Sequence, residues 1–548
     1  MFRFPIQTIM LPQLQLVNVC DRNFYKKEFD MFAVKGYEMQ KMDQYMINDV
    51  GIPSCVLMEN AAKSIVDDII VRFPIGQDKD GKITIICGTG NNGGDGMAIG
   101  RWLLHLGYDV HFVIIGKKER RSEDHQLQET ILNHLIASQM KNTVLWIDED
   151  NFEIDSPQIK ALLKRSFLTV DSLLGTGCNR TVSILFKDII EYMNHYSTYI
   201  ISVDVPSGIN SDNGKVMGAA VQADITYTFA MPKIGLILYP GAEYTGELIV
   251  KDIGIIQEAQ SLIQQKVNVL DQASIKEAVA QGVFERKKNT HKGNFGILGI
   301  IAGDDLMLGA TILAVKAAYR TGAGLVKVFT SEKNAHLILA QVAECVIVEY
   351  DARKDLSDQI DAFANQVDVI AIGPGLSQSN HAHHLVRQIL RLDKKVIFDA
   401  DALNIIAKNM EWFEEKKCSC VITPHIGEMS RLTGYCSSGI LENPIHFGSA
   451  MMEKYHIVTV LKSARTVVAA PEDQIYINTL GNPGMSTAGS GDVLVGIIGG
   501  LVAQGQSLAD AARYGVLLHS YAGDYYASDN NFASLMASDI IDCLWKGL

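Results

Sequence analysis

Short apolar segments rich in β-branched residues alternate with longer segments of helical periodicity along almost the whole chain. Such segments occur in the first half at residues 82–88, 109–116, 143–147, 166–171, 199–204 and 223–229. In the second half they occur at residues 297–303, 324–330, 368–375, 395–401, 420–425 and 457–463. Strands that alternate with helices form βαβ units and mostly parallel sheets, which bind ligands at the carboxyl ends of the strands. The pattern therefore predicts an α/β fold with its sites in the loops that follow the strands.

The length of 548 residues exceeds what one ordinary hydrophobic core organises, which predicts at least two domains. A Gln-rich polar segment separates the two series of strands, and the loops after the strands differ between the halves, so we expect two different domains and no duplication. The predicted organisation is an N-terminal extension (1–34), a first domain (35–257), a linker (258–270) and a second domain (271–548).

Composition excludes several classes of function. The 49 basic and 62 acidic residues give a net charge of −13, which argues against a nucleic-acid-binding protein. No segment approaches the roughly 20 consecutive apolar residues of a membrane span, and Pro5 and Pro12 interrupt the extension where a secretory signal would be apolar. The nine cysteines include no CxxC pair, which favours free thiols, and we expect a cytoplasmic protein. The expected partners are small molecules, with neither nucleic acid nor membrane among them, and we expect a homo-oligomer.

The segment GTGNNGGDG (88–96) has the outline of a dinucleotide-binding turn, because it follows a strand and opens a helix. Its glycines permit close approach, and the helix N-terminus offers N–H groups to an anion. A dehydrogenase would also carry an acidic residue at the end of the next strand to hold the ribose. Here that strand ends at Gly116 and lysines follow, so the loop is not predicted to hold a redox cofactor.

Two further strands of the first half end in carboxylates, Asp171 and Asp204. Together with the amides of the glycine-rich loop they would bring oxygen atoms to one crevice, and oxygen ligands suit a hard cation. The alternative is that each aspartate caps the helix that follows it.

Five motifs in this half resemble the NAD(P)H-hydrate epimerase domain: LMENAA (57–62), GTGNNGGDG, DSLLGTG (171–177), DVPSG (204–208) and TFAMPKIGL (228–236). The resemblance implies a Rossmann-like three-layer sandwich and a substrate that is NADH or NADPH hydrated at C6 of the nicotinamide ring. It implies a potassium ion held by Asn92, Asp171 and Ser207, with Asp204 as the catalytic acid or base. The implied substrate-binding residues are Asn91, Asn92, Gly93, Gly94, Asp95, Gly175, Thr176, Gly177, Cys178, Asn179, Arg180, Thr181 and Asp204.

In the second half, a glycine-rich turn (488–491) leads to Asp492 and an apolar helix. N–H groups at this helix start suit phosphoryl oxygens, and Asp492 is placed to take a proton from a hydroxyl that is being phosphorylated. The alternative for Asp492 is a favourable interaction with the helix dipole alone. His425 is equally compatible with a site and with the core, and Glu428 with a metal-bound phosphate and with a helix cap. The chain has no P-loop motif.

This half resembles the ribokinase-like superfamily, and more closely its ADP/ATP-dependent NAD(P)H-hydrate dehydratases. The matching motifs are HKGNFG (291–296), GA (309–310), GAGLVKV (322–328), DADALN (399–404), TPHIGE (423–428) and AGSGD (488–492). The resemblance implies Mg²⁺ with ADP or ATP as cosubstrate. Substrate contacts would come from Ala310, Gly375, His425 and Asp492, and nucleotide contacts from Lys462, Ser463, Ala464, Arg465, Thr466 and Gly491.

The chain departs from this family's pattern at four positions. Ser463 and Ser377 stand where glycine is common, Ile426 replaces a frequent proline, and Asp304 a frequent serine. Ser463 bears on how closely the backbone approaches the nucleotide phosphate.

The sequence thus predicts a bifunctional enzyme that epimerises hydrated NAD(P)H and dehydrates its S epimer. One alternative is a ribokinase-like kinase of a vitamin precursor with a nucleotide-sensing first domain. The other is a first domain that binds without catalysis.

Overall fold

The computed structural model describes residues 32–75, 82–136, 144–304, 306–351 and 354–548. The chain divides into two compact units, residues 1–266 and 267–548. Residues 1–31 of the predicted N-terminal extension lie outside the described part. Within that part, no helix is long and apolar enough to cross a membrane. The eight cysteines that it includes are free thiols, as expected from their scatter.

The described part of the first unit contains a sheet, eight α-helices and two short 3₁₀ helices (Lys118–Arg120 and Gln257–Leu262). Its strands are β1 (Phe32–Ala33), β2 (Lys82–Cys87), β3 (Asp109–Ile115), β4 (Val144–Ile147), β5 (Leu168–Ser172), β6 (Ile200–Val203), β7 (Ile225–Phe229) and β8 (Glu247–Lys251). Its helices are α1 (Gly36–Asn48), α2 (Ser54–Arg72), α3 (Asn91–His105), α4 (Glu123–Ile136), α5 (Phe152–Arg165), α6 (Ile184–Tyr196), α7 (Ile234–Ile237) and α8 (Gly241–Thr245).

The seven strands β2 to β8 form one parallel sheet in the order β4-β3-β2-β5-β6-β7-β8. Helices cover both faces. Ile83 and Ile85 of β2 pack into a cluster with α2 and α3, whereas Ile86 packs into a second cluster with α5 and α6. Successive strand residues point to opposite faces, so this split marks two apolar layers around the sheet. The prediction of a three-layer α/β domain is confirmed.

Among its described residues the second unit contains ten strands, thirteen α-helices and three short 3₁₀ helices (Lys292–Phe295, Pro483–Met485 and Phe532–Ser534). The strands are β9 (Val267–Leu270), β10 (Ile297–Ile301), β11 (Leu325–Thr330), β12 (Val346–Glu349), β13 (Val369–Ile372), β14 (Lys395–Phe398), β15 (Ser419–Ile422), β16 (Val458–Leu461), β17 (Val467–Ala470) and β18 (Gln474–Asn478). The helices are α9 (Gln272–Ala280), α10 (Leu308–Thr321), α11 (Glu332–Gln341), α12 (Leu356–Ala364), α13 (Asn380–Leu390), α14 (Ala400–Ala407), α15 (Met410–Glu414), α16 (Ile426–Thr433), α17 (Ser437–Glu442), α18 (Pro444–Tyr455), α19 (Ser490–Ala503), α20 (Leu508–Asp529) and α21 (Ala537–Cys543).

Within this unit the strand order is β9-β18-β17-β16-β15-β14-β13-β10-β11-β12. All neighbours run parallel except the antiparallel series β16-β17-β18. Strand β9 pairs with β18, with Val267 opposite Ile475. Residues 267–270 therefore belong to this sheet and not to the linker that we expected over 258–270. The short sequence VNVL adopts a strand because its apolar side chains are buried here.

Helix α19 positions one candidate site, because it is buried on all sides from Val493 to Ala503. It packs closely on α10, and a Cβ placed at Gly496 would lie 2.2 Å from the backbone oxygen of Ala314. Glycine at this position thus permits a close contact that fixes the helix and the residues of its first turn.

Two candidate active sites

The glycine-rich loop of the first unit lies against the turn that follows β5. A Cβ at Gly88 would lie 2.0 Å from the backbone oxygen of Leu173, and one at Gly93 would lie 1.8 Å from that of Gly88. Only glycine fits at both positions. Helix α3 begins at Asn91, so its free N–H groups open at the carboxyl edge of the sheet.

The side chain of Asn92 joins this loop to the turn after β5. Its Nδ2 donates to the backbone oxygen of Leu174 at 2.9 Å, while its buried Oδ1 has no hydrogen-bond donor within the described residues. Gly175 leaves room beside it, since a Cβ there would lie 3.3 Å from the Asn92 side chain. A buried acceptor without a donor is costly unless something else binds it, and a cation would do so.

Asp171 is fully buried, and both oxygens of its carboxylate accept hydrogen bonds. Ser207 donates to it from Oγ at 2.6 Å and from its backbone nitrogen at 2.9 Å, and Ser202 Oγ donates at 2.8 Å. Burial raises the pKa of Asp171, and these hydrogen bonds oppose that rise. The carboxylate caps no helix, which removes the capping alternative for this residue.

The three predicted cation ligands meet around one carbonyl. Leu174 O accepts from Asn92 Nδ2 at 2.9 Å and from Ser207 Oγ at 3.3 Å, and Ser207 also holds Asp171. The structure therefore brings Asn92, Asp171 and Ser207 together, with oxygen atoms as the available donors.

Asp204 follows β6 in the left-handed backbone region, at φ +66°. Its Oδ1 accepts from Lys233 Nζ at 2.6 Å and from Thr228 Oγ1 at 3.2 Å. Lys233 is completely buried, and Nζ also donates to Thr228 Oγ1 at 2.9 Å and to the backbone oxygen of Phe229 at 3.0 Å. This buried ammonium has three acceptors and one opposite charge. Non-glycine residues with such backbone angles cluster at functional sites.

Two more carboxylates face this ion pair. Burial raises the pKa of Asp43 to about 6, with Lys233 lowering it and Asp204 raising it. Burial also raises the pKa of Asp95 well above its ordinary value, and the charges of Asp204 and Asp43 add to that rise. Sequence reasoning missed Lys233, although it lies in a quoted motif. It also missed Asp43, which lies in a helix and follows no strand.

The 175–181 turn forms the outer side of this site. The backbone oxygen of Thr176 accepts from Ser211 Oγ at 3.1 Å, and that of Cys178 accepts from Asn210 Nδ2 at 3.3 Å. Gly177 and residues 179–181 are exposed. The turn is anchored from within and accessible from outside, as a substrate-binding segment requires.

The candidate site of the second unit centres on Lys462. Its Nζ donates to Asp399 Oδ1 at 2.6 Å, and Thr423 Oγ1 donates to the same oxygen at 2.7 Å. A Cβ at Gly491 would lie 3.4 Å from Lys462 Nζ, so the first turn of α19 is next to the ion pair. Sequence reasoning placed Asp399 only within a motif.

The charged groups of this cluster shift one another's pKa values. Burial and the nearby Asp399 raise the pKa of Asp492 to about 6, while Lys462 lowers it. Burial lowers the pKa of Lys462, but Asp399, Glu428 and Asp492 raise it by more, so the net shift is upward. At neutral pH the site therefore combines a fixed ammonium with a carboxylate able to exchange a proton.

His425 is the N-cap residue of α16 and is not a core residue, since its side chain is 53% exposed. Its Nδ1 accepts from the backbone nitrogens of Gly427 at 2.9 Å and Glu428 at 3.3 Å. Glu428 Oε2 accepts from the His425 backbone nitrogen at 2.8 Å, which completes a capping box. Burial and the charges of Lys462 and Arg431 lower the pKa of His425, so it is neutral and carries its proton on Nε2. The helix-cap reading of Glu428 is confirmed.

The predicted nucleotide-binding turn (462–466) is closed by Ser463. Its Oγ donates to the backbone oxygen of Arg465 at 2.7 Å and accepts from the Arg465 nitrogen at 3.2 Å. The backbone of Ser463 is not left-handed, so this turn does not require glycine. The guanidinium of Arg465 donates to the backbone oxygen of Thr479. By contrast, Ser377 does occupy the left-handed region, at φ +63°.

Two further pairs of predicted residues are neighbours in the structure. A Cβ at Gly375 would lie 3.3 Å from that of Ala310, so these two residues are neighbours. His425 and Lys462 are paired across adjacent strand ends. A separate cavity of about 220 Å³, lined by Arg387, Leu390, Arg391, Trp412, Glu415 and Lys417, contains none of the candidate residues.

Residues 54–235 match the sequence family described as YjeF-related protein N-terminus, and residues 298–546 match the one described as NAD(P)H-hydrate dehydratase. The bifunctional NAD(P)H-hydrate repair enzyme of Moorella thermoacetica is 35% identical over 521 residues, covering 94% of this chain and 96% of that protein. The chain belongs to the bifunctional NAD(P)H-hydrate repair enzyme family. The Escherichia coli member is 32% identical over 462 residues, 84% of each chain. The resemblances drawn from the motifs are thereby confirmed at the level of the family.

Among solved structures, the ADP/ATP-dependent NAD(P)H-hydrate dehydratase of Bacillus subtilis, co-crystallised with ATP and Mg²⁺, is 28% identical with a TM-score of 0.42. The match covers 47% of this chain and 91% of that chain. A ribokinase-like superfamily protein from Enterococcus faecalis is 29% identical with a TM-score of 0.42, covering 47% of this chain and 89% of that chain.

Proposed function

We propose that the first domain interconverts the R and S epimers of NADH or NADPH hydrated at C6, and that the second domain dehydrates the S epimer at the expense of ADP or ATP. The observation that carries the proposal is the cluster of Asp492, Lys462 and Asp399 at the start of α19, within a chain whose relatives repair hydrated NAD(P)H over nearly its full length. The two activities complement each other, because a dehydratase specific for one epimer leaves the other unrepaired.

In the second domain, Asp492 accepts the proton of the C6 hydroxyl while the hydroxyl oxygen takes the terminal phosphoryl group of the nucleotide. Lys462 and the N–H groups at the start of α19 stabilise the phosphoryl oxygens. Phosphate then leaves C6 with loss of a proton from C5, which restores the dihydronicotinamide. Phosphate is a much better leaving group than hydroxide, which explains why the elimination consumes a nucleotide. We propose that Mg²⁺ enters with the nucleotide, bound mainly by phosphate oxygens and water.

In the first domain, Asp204 is the acid or base, held by Lys233. Asn92, Asp171 and Ser207 would hold a potassium ion, and the donor-free Oδ1 of Asn92 supports that assignment. When bound, the ion supplies positive charge beside the buried Asp171. The remaining predicted substrate contacts, from Asn91 to Asp95 and along 175–181, surround this site.

Single substitutions in the full chain test the two activities separately. Asp492→Asn should lower dehydration by at least ~100-fold, the usual contribution of a general base, while R and S hydrates still interconvert. Recovery of NADH absorbance from hydrated NADH and ADP measures dehydration.

Asp204→Asn should leave S-hydrate repair intact and slow consumption of the R form. A stable phosphorylated product instead of NADH would favour the kinase alternative.

Thermal unfolding tests the potassium site without relying on activity. Replacing NaCl with KCl at equal ionic strength should raise the melting temperature of the first domain in the native chain, because the ion binds only the folded state. Asn92→Ala should abolish that difference. Equal melting temperatures for the native chain in both salts would contradict the potassium assignment.

A cytoplasmic location and a homo-oligomeric assembly are further proposals. Free thiols at the eight described cysteines support the first. Sedimentation of the purified chain tests the second.

A further inference from the structure

Helix α1 brings Asp43 to the first candidate site. The backbone nitrogen of Gly36 donates to Asp212 Oδ1 at 2.7 Å, and Gln40 Nε2 donates to Thr176 Oγ1 at 3.4 Å. Residues four and seven positions apart lie on one face of a helix, so Asp43 shares the face of Gly36 and Gln40. That face is directed at the loops that follow the strands. Met39, Met42 and Met46 are buried on an adjacent face and fix the helix in place.

Electrostatic interactions connect Asp43 with the residues that would surround a substrate. It interacts with Lys233 and Asp204, and Asp95 interacts with both Asp43 and Asp204. Asp43 and Asp204 thus share one buried ammonium, and the charges of Asp204, Asp43 and Asp124 all raise the pKa of Asp95. Burial and these like charges favour the protonated forms of Asp43 and Asp95.

The three carboxyls are not equivalent. Asp204 accepts directly from Lys233 Nζ at 2.6 Å. The pKa of Asp95 is raised well above its ordinary value by burial and by the neighbouring carboxylates. The pKa of Asp43 is about 6, close to the pH at which a group both gives and takes a proton efficiently.

We propose that Asp43 is the general acid of the epimerisation and that it acts opposite Asp204. This inference rests on the proposed epimerase function and assigns a residue to it. C6 of the hydrate carries a hydroxyl and is bonded to the ring nitrogen N1. Asp43 protonates the hydroxyl, the C6–O bond breaks as the N1 lone pair forms an N1=C6 bond, and water departs.

A water molecule then adds to the other face of C6. The new C6–O bond forms, the N1=C6 electron pair returns to N1, and the extra proton of the water passes to Asp204. Transfer of that proton through solvent to Asp43 restores both groups. No electrons are gained or lost, so the inversion needs neither an oxidant nor a nucleotide.

Asp43→Asn in the full chain tests the assignment, with the R epimer of hydrated NADH as substrate and chromatographic separation of the epimers as the readout. We expect kcat for inversion to fall about 100-fold with little change in KM, because an amide keeps the shape but supplies no acid. Dehydration of the S epimer should be unchanged. Asp49→Asn, at the exposed C-terminal end of the same helix, is the matched control and should invert the substrate at the native rate.

Two readouts separate an acid from a merely structural residue. In the native chain kcat for inversion should fall as the pH rises through about 6, since the acid must be protonated, and Asp43→Asn should lose that dependence. In H₂¹⁸O each inverted product should carry the label at C6. Unlabelled product would overturn departure of the hydroxyl and with it the role of Asp43.

The comparison with Asp204→Asn distinguishes failure of this inference from failure of the function. Inversion lost in Asp204→Asn but kept within threefold in Asp43→Asn overturns the inference alone. Inversion kept in both variants overturns the epimerase function itself. Should Asp43→Asn fail to fold, Asp43→Glu decides the question: a displaced pH dependence supports the acid, and an unchanged one overturns it.

Discussion

At the scale of single residues, the burial of Asp492 suits its proposed role as a base but lowers the stability of the folded protein above about pH 6. The same surroundings that raise its pKa to about 6 make its ionised form unfavourable in the folded protein. The folded state therefore binds the proton of Asp492 more tightly than the unfolded chain does. Its contribution to stability is fully present at acid pH and is lost as the pH rises through about 6.

Asp492→Asn should consequently stabilise the second domain at alkaline pH while it abolishes dehydration. We expect the free energy of unfolding to rise by about 1–3 kcal/mol at pH 8, and the gain to vanish at pH 4 where the native carboxyl is neutral. The native enzyme should in turn gain dehydratase activity as the pH rises through about 6, because the base must be ionised. Denaturant unfolding at the two pH values measures the first effect, and a loss of stability at pH 8 would contradict it.

Ser377 and Ser463 both replace a glycine that is common in the family, but their backbones differ. Ser377 is left-handed, so Ser377→Gly should stabilise the second domain by about 1 kcal/mol. Ser463 is not left-handed and its Oγ closes the nucleotide turn, so Ser463→Gly should destabilise it by about 1 kcal/mol. Melting temperatures of the two variants should shift in opposite directions, and a shift of both in the same direction would refute this explanation.

At the scale of elements, the burial and pairing of strand β9 place the domain boundary before Val267. Val267, Val269 and Leu270 are buried, and β9 completes the pairing of β18. A polar Gln-rich stretch precedes them. Composition averaged over this region therefore does not indicate the four-residue strand.

Two fragments test the importance of this strand. A fragment of residues 267–548 should fold and dehydrate the S hydrate. A fragment of residues 271–548 should be less stable by several kcal/mol, because it loses the burial of three apolar side chains at about 1.5–3 kcal/mol each and leaves β18 unpaired on one side. Equal melting temperatures and activities for the two fragments would show that β9 is dispensable.

Most of the predicted strands are buried in the middle of the sheets, since such strands are continuous apolar runs. The exception is β4, an edge strand whose four residues are all apolar although most are only partly buried. All twelve predicted segments contain a strand. The described strands that were missed lie near sheet edges or are short: β1, β8, β9, β12 and the antiparallel pair β17 and β18. Strand β12 is an edge strand of four residues and is only partly buried.

At the scale of the whole molecule, motif residues could be predicted but their partners could not. Asp204 and Asp492 follow glycine-rich or strand-end patterns that are visible in one stretch of sequence. Lys233 and Asp399 become site residues only through tertiary contacts, with Asp204 and Lys462 respectively. Asp43 is one acidic residue among others on a helix, and nothing in its sequence neighbourhood distinguishes it.

The two domains share a chemical arrangement despite unrelated loops. Each has an aspartate 2.6 Å from a lysine ammonium, Asp204 with Lys233 and Asp399 with Lys462. Each also has a second carboxyl whose pKa is raised to about 6, Asp43 and Asp492. A fixed ion pair beside a proton-exchanging carboxyl suits both reactions, because both transfer a proton at the hydroxyl group on C6 of the substrate.

Because Lys233 is completely buried, substitutions of Lys233 and of its partner Asp204 are constrained to occur together in evolution. Removing one partner of a buried ion pair costs about 3–5 kcal/mol, whereas replacing both by apolar residues of similar volume is often neutral. A mutation at Asp204 alone would therefore lower the stability of the first domain as well as its epimerase activity. Family members without epimerase activity should therefore have lost both Asp204 and Lys233, because the loss of either residue alone destabilises the domain.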